Sequence, residues 1–233
     1  MPKYTRAYSI LVERLREVCI LQNLSLEYSQ KKPLGSHDQE VNALCRGAII
    51  LLCAHIEGYS EDLSSLIIEK IHEKQVEKSK LGNGFRFYLS QDIIEEMRIT
   101  QSPVGLESKM SSLFHRDLDI WSGNESFRKR LDPERFMKGF SSPNPEKIYR
   151  LFRRFGFNRI KHDMSIILNR EYIFCENMVD SIVSTRHKIA HGDHIIAKTP
   201  NEVREMAEKA RLFCRTLDKS VGDACKNIGF SIR

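Results

Sequence analysis

The chain has 233 residues, about one and a half typical domain lengths, so one compact domain with an insertion is expected rather than two domains. Its 41% hydrophobic and 29% charged residues are those of an ordinary globular chain and exclude fibrous or disordered classes. Lys plus Arg outnumber Asp plus Glu by 37 to 31, a net charge of +6, which permits an anionic partner without requiring one.

The longest uninterrupted apolar run, residues 48–54, is far shorter than a membrane span, so no membrane association is expected. The chain opens with no basic-then-apolar leader, and the reading is of a cytoplasmic protein. Cys19, Cys45, Cys53, Cys175, Cys214 and Cys225 have no CxxC spacing. They read as small buried thiols of a reducing compartment rather than metal ligands or disulfides. No metal or other cofactor is expected.

Helical spacing runs almost throughout. Tyr8, Leu11, Val12, Leu15, Val18, Cys19 and Gln22 fall on one stripe of a first helix. Lys31-Lys32-Pro33-Leu34-Gly35 breaks it, and Ser36 with Gln39 forms a capping box for a second helix over about 37–77. Residues 48–54 are apolar all round that helix and should be buried on every side. Residues 69–80 carry charges of both signs and read as a solvated helix end. From 82 to about 169 the pattern loosens into short pieces (91–99, 109–118, 145–155 and 161–168). Regular helix returns over about 170–191 and stops at Gly192-Asp193. Thr199-Pro200-Asn201-Glu202 is a capping box that opens a last helix to about 227. The fold class is therefore all-α: a four-helix bundle, with core helices at about 1–79 and 170–228 and a helical insertion over about 80–169.

Within 179–192, Asp180, Ser184, His187 and His191 share a narrow polar arc, while Ile182, Val183, Ile189 and Ala190 form the apolar side. Arg186 sits within that apolar side, where a guanidinium needs an acceptor. The apolar stretch of the second helix is broken by His55 and Glu57, and pairing Glu57 with Arg186 would satisfy both. The plain version of this pairing is a structural ion pair locking two helices.

Arg186-His187-Lys188-Ile189-Ala190-His191 matches the R-x4–6-H motif of HEPN domains, with a polar residue directly after the arginine. The motif closes the penultimate long helix and precedes a capped final one, and 54–59 resembles the corresponding helix of the RiboL-PSP-HEPN group. The resemblance covers about 1–79 and 170–228. It implies a metal-independent endoribonuclease acting on RNA as a homodimer, often a toxin or antiviral defence effector, with an antitoxin or sensor protein as a further partner. Arg186 and His191 would then be catalytic. Imidazoles change charge in the physiological range, and a guanidinium grips two phosphate oxygens. Five residues separate the two by about 140° on a helix, so a two-fold dimer or a loosened helix end at Gly192 would be needed to bring them together. His187, Ser184 and Asp180 would border the cleft, and Glu57 and His55 would support it. The expected chemistry is attack by the ribose 2′-OH on the adjacent phosphate, which DNA cannot undergo. Some relatives carry a modifiable tyrosine two residues after the motif histidine; here that position is Asp193, so that regulation is not expected. The alternative is a non-catalytic HEPN module that binds RNA or protein.

Residues 116–170 carry 13 Lys and Arg against 7 Asp and Glu. Arg128, Lys129, Arg130, Arg150, Arg153, Arg154, Arg159 and Lys161 alternate with Phe127, Phe136, Phe140, Tyr149, Phe152, Phe155 and Phe157. Cations for phosphates and rings for bases suit single-stranded RNA, although the same pattern also describes a core with a solvated face. A DNA-binding regulator is a weaker option, because no helix-turn-helix spacing appears. His187, His191 and His194 offer the spacing of zinc ligands but lack HExxH. Gly82-Asn83-Gly84 lacks the strand and lysine of a phosphate loop, and no Ser or Cys lies in a nucleophile motif.

Overall fold

The computed structural model describes residues 3–30, 38–123, 125–192 and 198–233, and it contains no strand among them. Four long helices make the bundle: α1 (Arg6–Gln30), α2 (Asp38–Glu73), α9 (Tyr172–Ala190) and α10 (Pro200–Asn227). Between α2 and α9 lie α3 (Asn83–Leu89), α4 (Gln91–Ile99), α5 (Pro103–Trp121), α6 (Pro133–Met137), α7 (Pro145–Arg153) and α8 (Ile160–Leu168).

The first two helices form an antiparallel hairpin, with Arg14 meeting Asp62 at 2.8 Å and Glu17 meeting His55 at 3.3 Å. In α1, Tyr8, Leu11, Leu15, Val18 and Gln22 are buried as their spacing predicts, but Cys19 is exposed, so only five of the six thiols are buried. It lies at the rim of the stripe, where no neighbouring helix covers it.

Helix α2 is the centre of the fold, buried against α1, α9 and α10. It is not enclosed on every side: Ile50 and Ala54 are exposed, because its neighbours leave one strip of the cylinder open. By length and mean hydropathy α2 could cross a membrane; here its apolar faces are used by the other helices.

Helix α10 runs antiparallel to α1. The Thr5 backbone N–H donates to Asp218 at 3.1 Å, the Thr5 hydroxyl donates to the same carboxylate, and the Tyr59 hydroxyl donates to the Cys214 carbonyl at 2.9 Å. These buried bonds tie α1, α2 and α10 together at one level. Its start is the expected box, with Thr199 and Glu202 capping each other reciprocally.

The insertion is built around rings. Phe85 packs on Phe127, Phe136 and Phe155 with centroids 5.1–5.8 Å apart, and Phe155 stacks on Phe157. Tyr149 of α7 packs on Phe213 of α10, which makes the two cores continuous. The start of the segment is tied to the end of α7, where Gly82 donates to the Phe155 carbonyl at 3.2 Å. A Cβ at Gly82 would lie 2.7 Å from the Gly156 backbone, and Gly156 has φ +92°, so both positions need glycine.

Charged residues are also drawn inside. Lys78, expected on a solvated helix end, is buried. Its ammonium donates to the Asp119 carbonyl and the Ser122 hydroxyl, capping the end of α5, and lies 4.9 Å from the Phe127 ring centre. Helices α3 and α6 and the first turns of α5 (103–108) were not legible in the sequence, where their short pieces lack a long apolar stripe.

Candidate functional site

Helix α9 presents a continuous exposed line through Asp180, Ser184, His187 and His191, the arc its periodicity predicts. His191 is the last residue in register: its N–H still bonds to the His187 carbonyl at 3.0 Å, and Gly192 then turns away with φ +81°. The helix ends at the histidine, whose side chain is exposed. The His187 and His191 rings touch, with centroids 4.2 Å apart and planes inclined at 60°. Asp180 and Ser184 share the face but not the site. At 1.5 Å per residue they lie about 16 and 10 Å up the axis from His191, and the Ser184 hydroxyl donates to the Ser181 carbonyl.

Arg186 occupies the neighbouring flank and is half-buried against α2. It does not form the expected ion pair with Glu57, which is half-buried on the edge of the open strip of α2 rather than in the core. Both charges are felt at the buried Cys53 thiol. Burial pushes that thiol up to about 11, with Arg186 opposing and Glu57 reinforcing. The guanidinium thus lies beside an acidic stretch of α2 without being locked by it.

One residue of that stretch was missed. Glu61 follows Glu57 by one turn, and burial together with Glu57 and Asp62 raises its pKa, with Arg14 opposing. The i, i+4 spacing of the two glutamates was the available signal. His55 is not part of this arrangement. It faces α1, where burial lowers its pKa and Glu17 opposes the shift. A rotation of about 200° along α2 separates it from Cys53.

Within one protomer, Arg186 and His191 do not converge: no hydrogen bond or ion pair joins them, and they occupy different flanks of α9. Asp193 and His194 lie outside the described residues. Among those described, no cluster of three metal-ligating side chains occurs.

In the insertion the rings follow the core reading and not the RNA-platform one. Phe127, Phe136, Tyr149, Phe152, Phe155 and Phe157 are all buried and Phe140 is half-buried, so these rings form core and offer no faces to bases. Arg154 is corrected too. It is half-buried, donates to the Phe136 carbonyl at 2.5 Å and lies 4.2 Å from the Tyr88 ring centre. Burial lowers its pKa, with Tyr88 opposing. Arg153 pairs with Glu146 at 2.5 Å, Lys161 with Glu146 at 3.7 Å, Arg159 with Asp163 at 3.8 Å and Arg130 with Glu69 at 3.1 Å. Arg128, Lys129 and Arg150 are exposed.

No curated protein and no solved structure matches the chain. The RiboL-PSP-HEPN family model matches residues 16–223, a span that takes in the insertion as well as most of the bundle. Such domains are nuclease or RNA-binding modules. The chain belongs to the RiboL-PSP-HEPN family.

Proposed function

We propose that the protein is a metal-independent endoribonuclease that works as a homodimer in the cytoplasm, as a toxin or an antiviral defence effector restrained by a partner protein. The observation that carries this reading is the end of α9. Two imidazoles in contact project from a helix that stops beside them, and a guanidinium free of any ion pair with Glu57 lies on the adjoining flank.

In this reading His191 takes the proton from the ribose 2′-OH, and Arg186 holds the charge that builds on the phosphorane oxygens. The P–O5′ bond then breaks and the departing 5′ oxygen takes a proton from water, leaving a 2′,3′-cyclic phosphate and a free 5′-hydroxyl, while His191 returns its proton to solvent. His187 supports His191 through the ring contact, and Glu57 biases the position of Arg186. The outward cations Arg128, Lys129, Arg130, Arg150, Arg159 and Lys161 supply phosphate contacts.

The purified protein is expected to cut single-stranded RNA in EDTA, to leave cyclic phosphate ends and to spare DNA. Arg186→Ala and His191→Ala should each lower the cleavage rate by at least about a hundredfold. Cutting that survives both substitutions would refute the assignment. A second reading draws on the separation of Arg186 from His191 within one protomer: a non-catalytic module that binds RNA or protein. RNA that is retained but never cleaved is its signature.

A further inference from the structure

A groove of about 440 Å³ lies between α1 and α10, away from the α9 histidines. Its floor is apolar: half-buried Val12 and exposed Cys19 from one helix and half-buried Ala207 from the other, lying over the buried Leu15, Val18 and Val203. Arg16, Arg204 and Arg211 stand on its lip, and Arg215 follows in an adjoining hollow that shares Glu208 and Arg211. The four arginines are exposed, and Glu208 is the one carboxylate among the lining residues of the two hollows. None of these arginines pairs with a carboxylate among the described residues, whereas Arg130, Arg153, Arg159 and Lys161 of the insertion all do. Arg211 lies instead at the Tyr8 hydroxyl, whose pKa burial raises while Arg211 and Arg215 oppose.

We propose that this groove is a docking site for an acidic amphipathic helix of a partner protein. An apolar trough between two helices takes the buried face of a third, with anchors one turn apart. The arginine lip selects glutamate and aspartate on the flanks of that helix and repels basic ones. The lining favours a peptide over RNA, because it has aliphatic sockets and no ring on which a base could stack. The site is independent of catalysis and stands whether or not Arg186 and His191 cut RNA.

The test uses a fluorescein-labelled amphipathic peptide of about 18 residues, with leucines at i, i+3, i+4 and i+7 and glutamates elsewhere. Its controls are a twin with lysine replacing glutamate and a single-stranded oligouridylate. The acidic peptide is expected to bind the full chain, more weakly as salt rises, and to slow iodoacetamide labelling of Cys19, the exposed thiol in the groove. Arg204→Glu combined with Arg211→Glu should weaken binding at least about tenfold with unchanged far-ultraviolet circular dichroism. Ala207→Trp should abolish it by filling the trough. The proposal fails if the acidic peptide does not bind, if the double variant binds it as well as the parent does, or if the lysine twin binds equally. Protection of Cys19 by the oligouridylate alone would reassign the groove to nucleic acid.

Discussion

Asp117 carries more of the fold than its place in a helix suggests. It is fully buried at a kink in α5 (φ −107°, ψ 16°), between the guanidiniums of Arg116 and Arg135, which also share Asp92. Burial would raise its pKa, but the two arginines outweigh that and hold the carboxyl below its ordinary value. Asp117→Ala leaves two cations facing an empty buried position and should cost about 3 kcal/mol, read as a lowered urea midpoint with unchanged m-value. A midpoint equal to the parent's would show that Asp92 alone holds both arginines. This network was hidden in the sequence because its members come from α4, α5 and the start of α6, and residue spacing says nothing about side chains that meet across helices. Arg186 failed in a subtler way. Periodicity set it on the side facing α2 but could not say that Glu57 lies at the edge of the open strip and leaves it unpaired. For the insertion's aromatics the pattern admitted both a core and an RNA platform, and only the packing of the rings on one another decides for the core.

Elements with their own local signals were legible. The capping box of α10, its proline and the stop at Gly192 all lie where local chemistry puts them, because each depends on residues within one turn. Helices α3 and α6 have seven and five residues. Helices this short depend on tertiary contacts for their existence, and those contacts are long-range. The box also has a pH signature. The Lys198 ammonium and the Thr199 backbone N–H and hydroxyl bring the Glu202 carboxyl down from an ordinary 4.5 to about 2. A depressed carboxyl contributes stability above its unfolded pKa and loses it as pH falls through the folded one. Glu202→Gln should therefore cost about 1 kcal/mol at neutral pH, a figure limited by solvent screening at an exposed site. The difference should shrink between pH 4.5 and about 2. Parallel urea melts of the two proteins down that range check it, and a gap that stays constant would place the effect outside the charge.

At the level of the whole molecule, the all-α class was readable, because long amphipathic stripes report a core directly. The depth of the insertion was not: Tyr149 against Phe213 joins it to the same core. The separation of Arg186 from His191 in one protomer bears on assembly. If the reacting groups meet across a two-fold axis, Arg186→Ala and His191→Ala chains, each inactive alone, should regain cleavage when mixed, up to about half of parental activity in the mixed dimers. Strictly additive inactivity in a mixture that demonstrably exchanges subunits would rule out sharing between chains. The interleaving of the bundle has its own outcome. The exposed link at Gln101 and Ser102 divides α1 and α2 from α9 and α10, yet Thr5 and Tyr59 on one side are bonded to α10 on the other. A protease that nicks the tip would leave both pieces clasped, so this chain lends itself to being split into two complementary fragments that reassemble only when both are made.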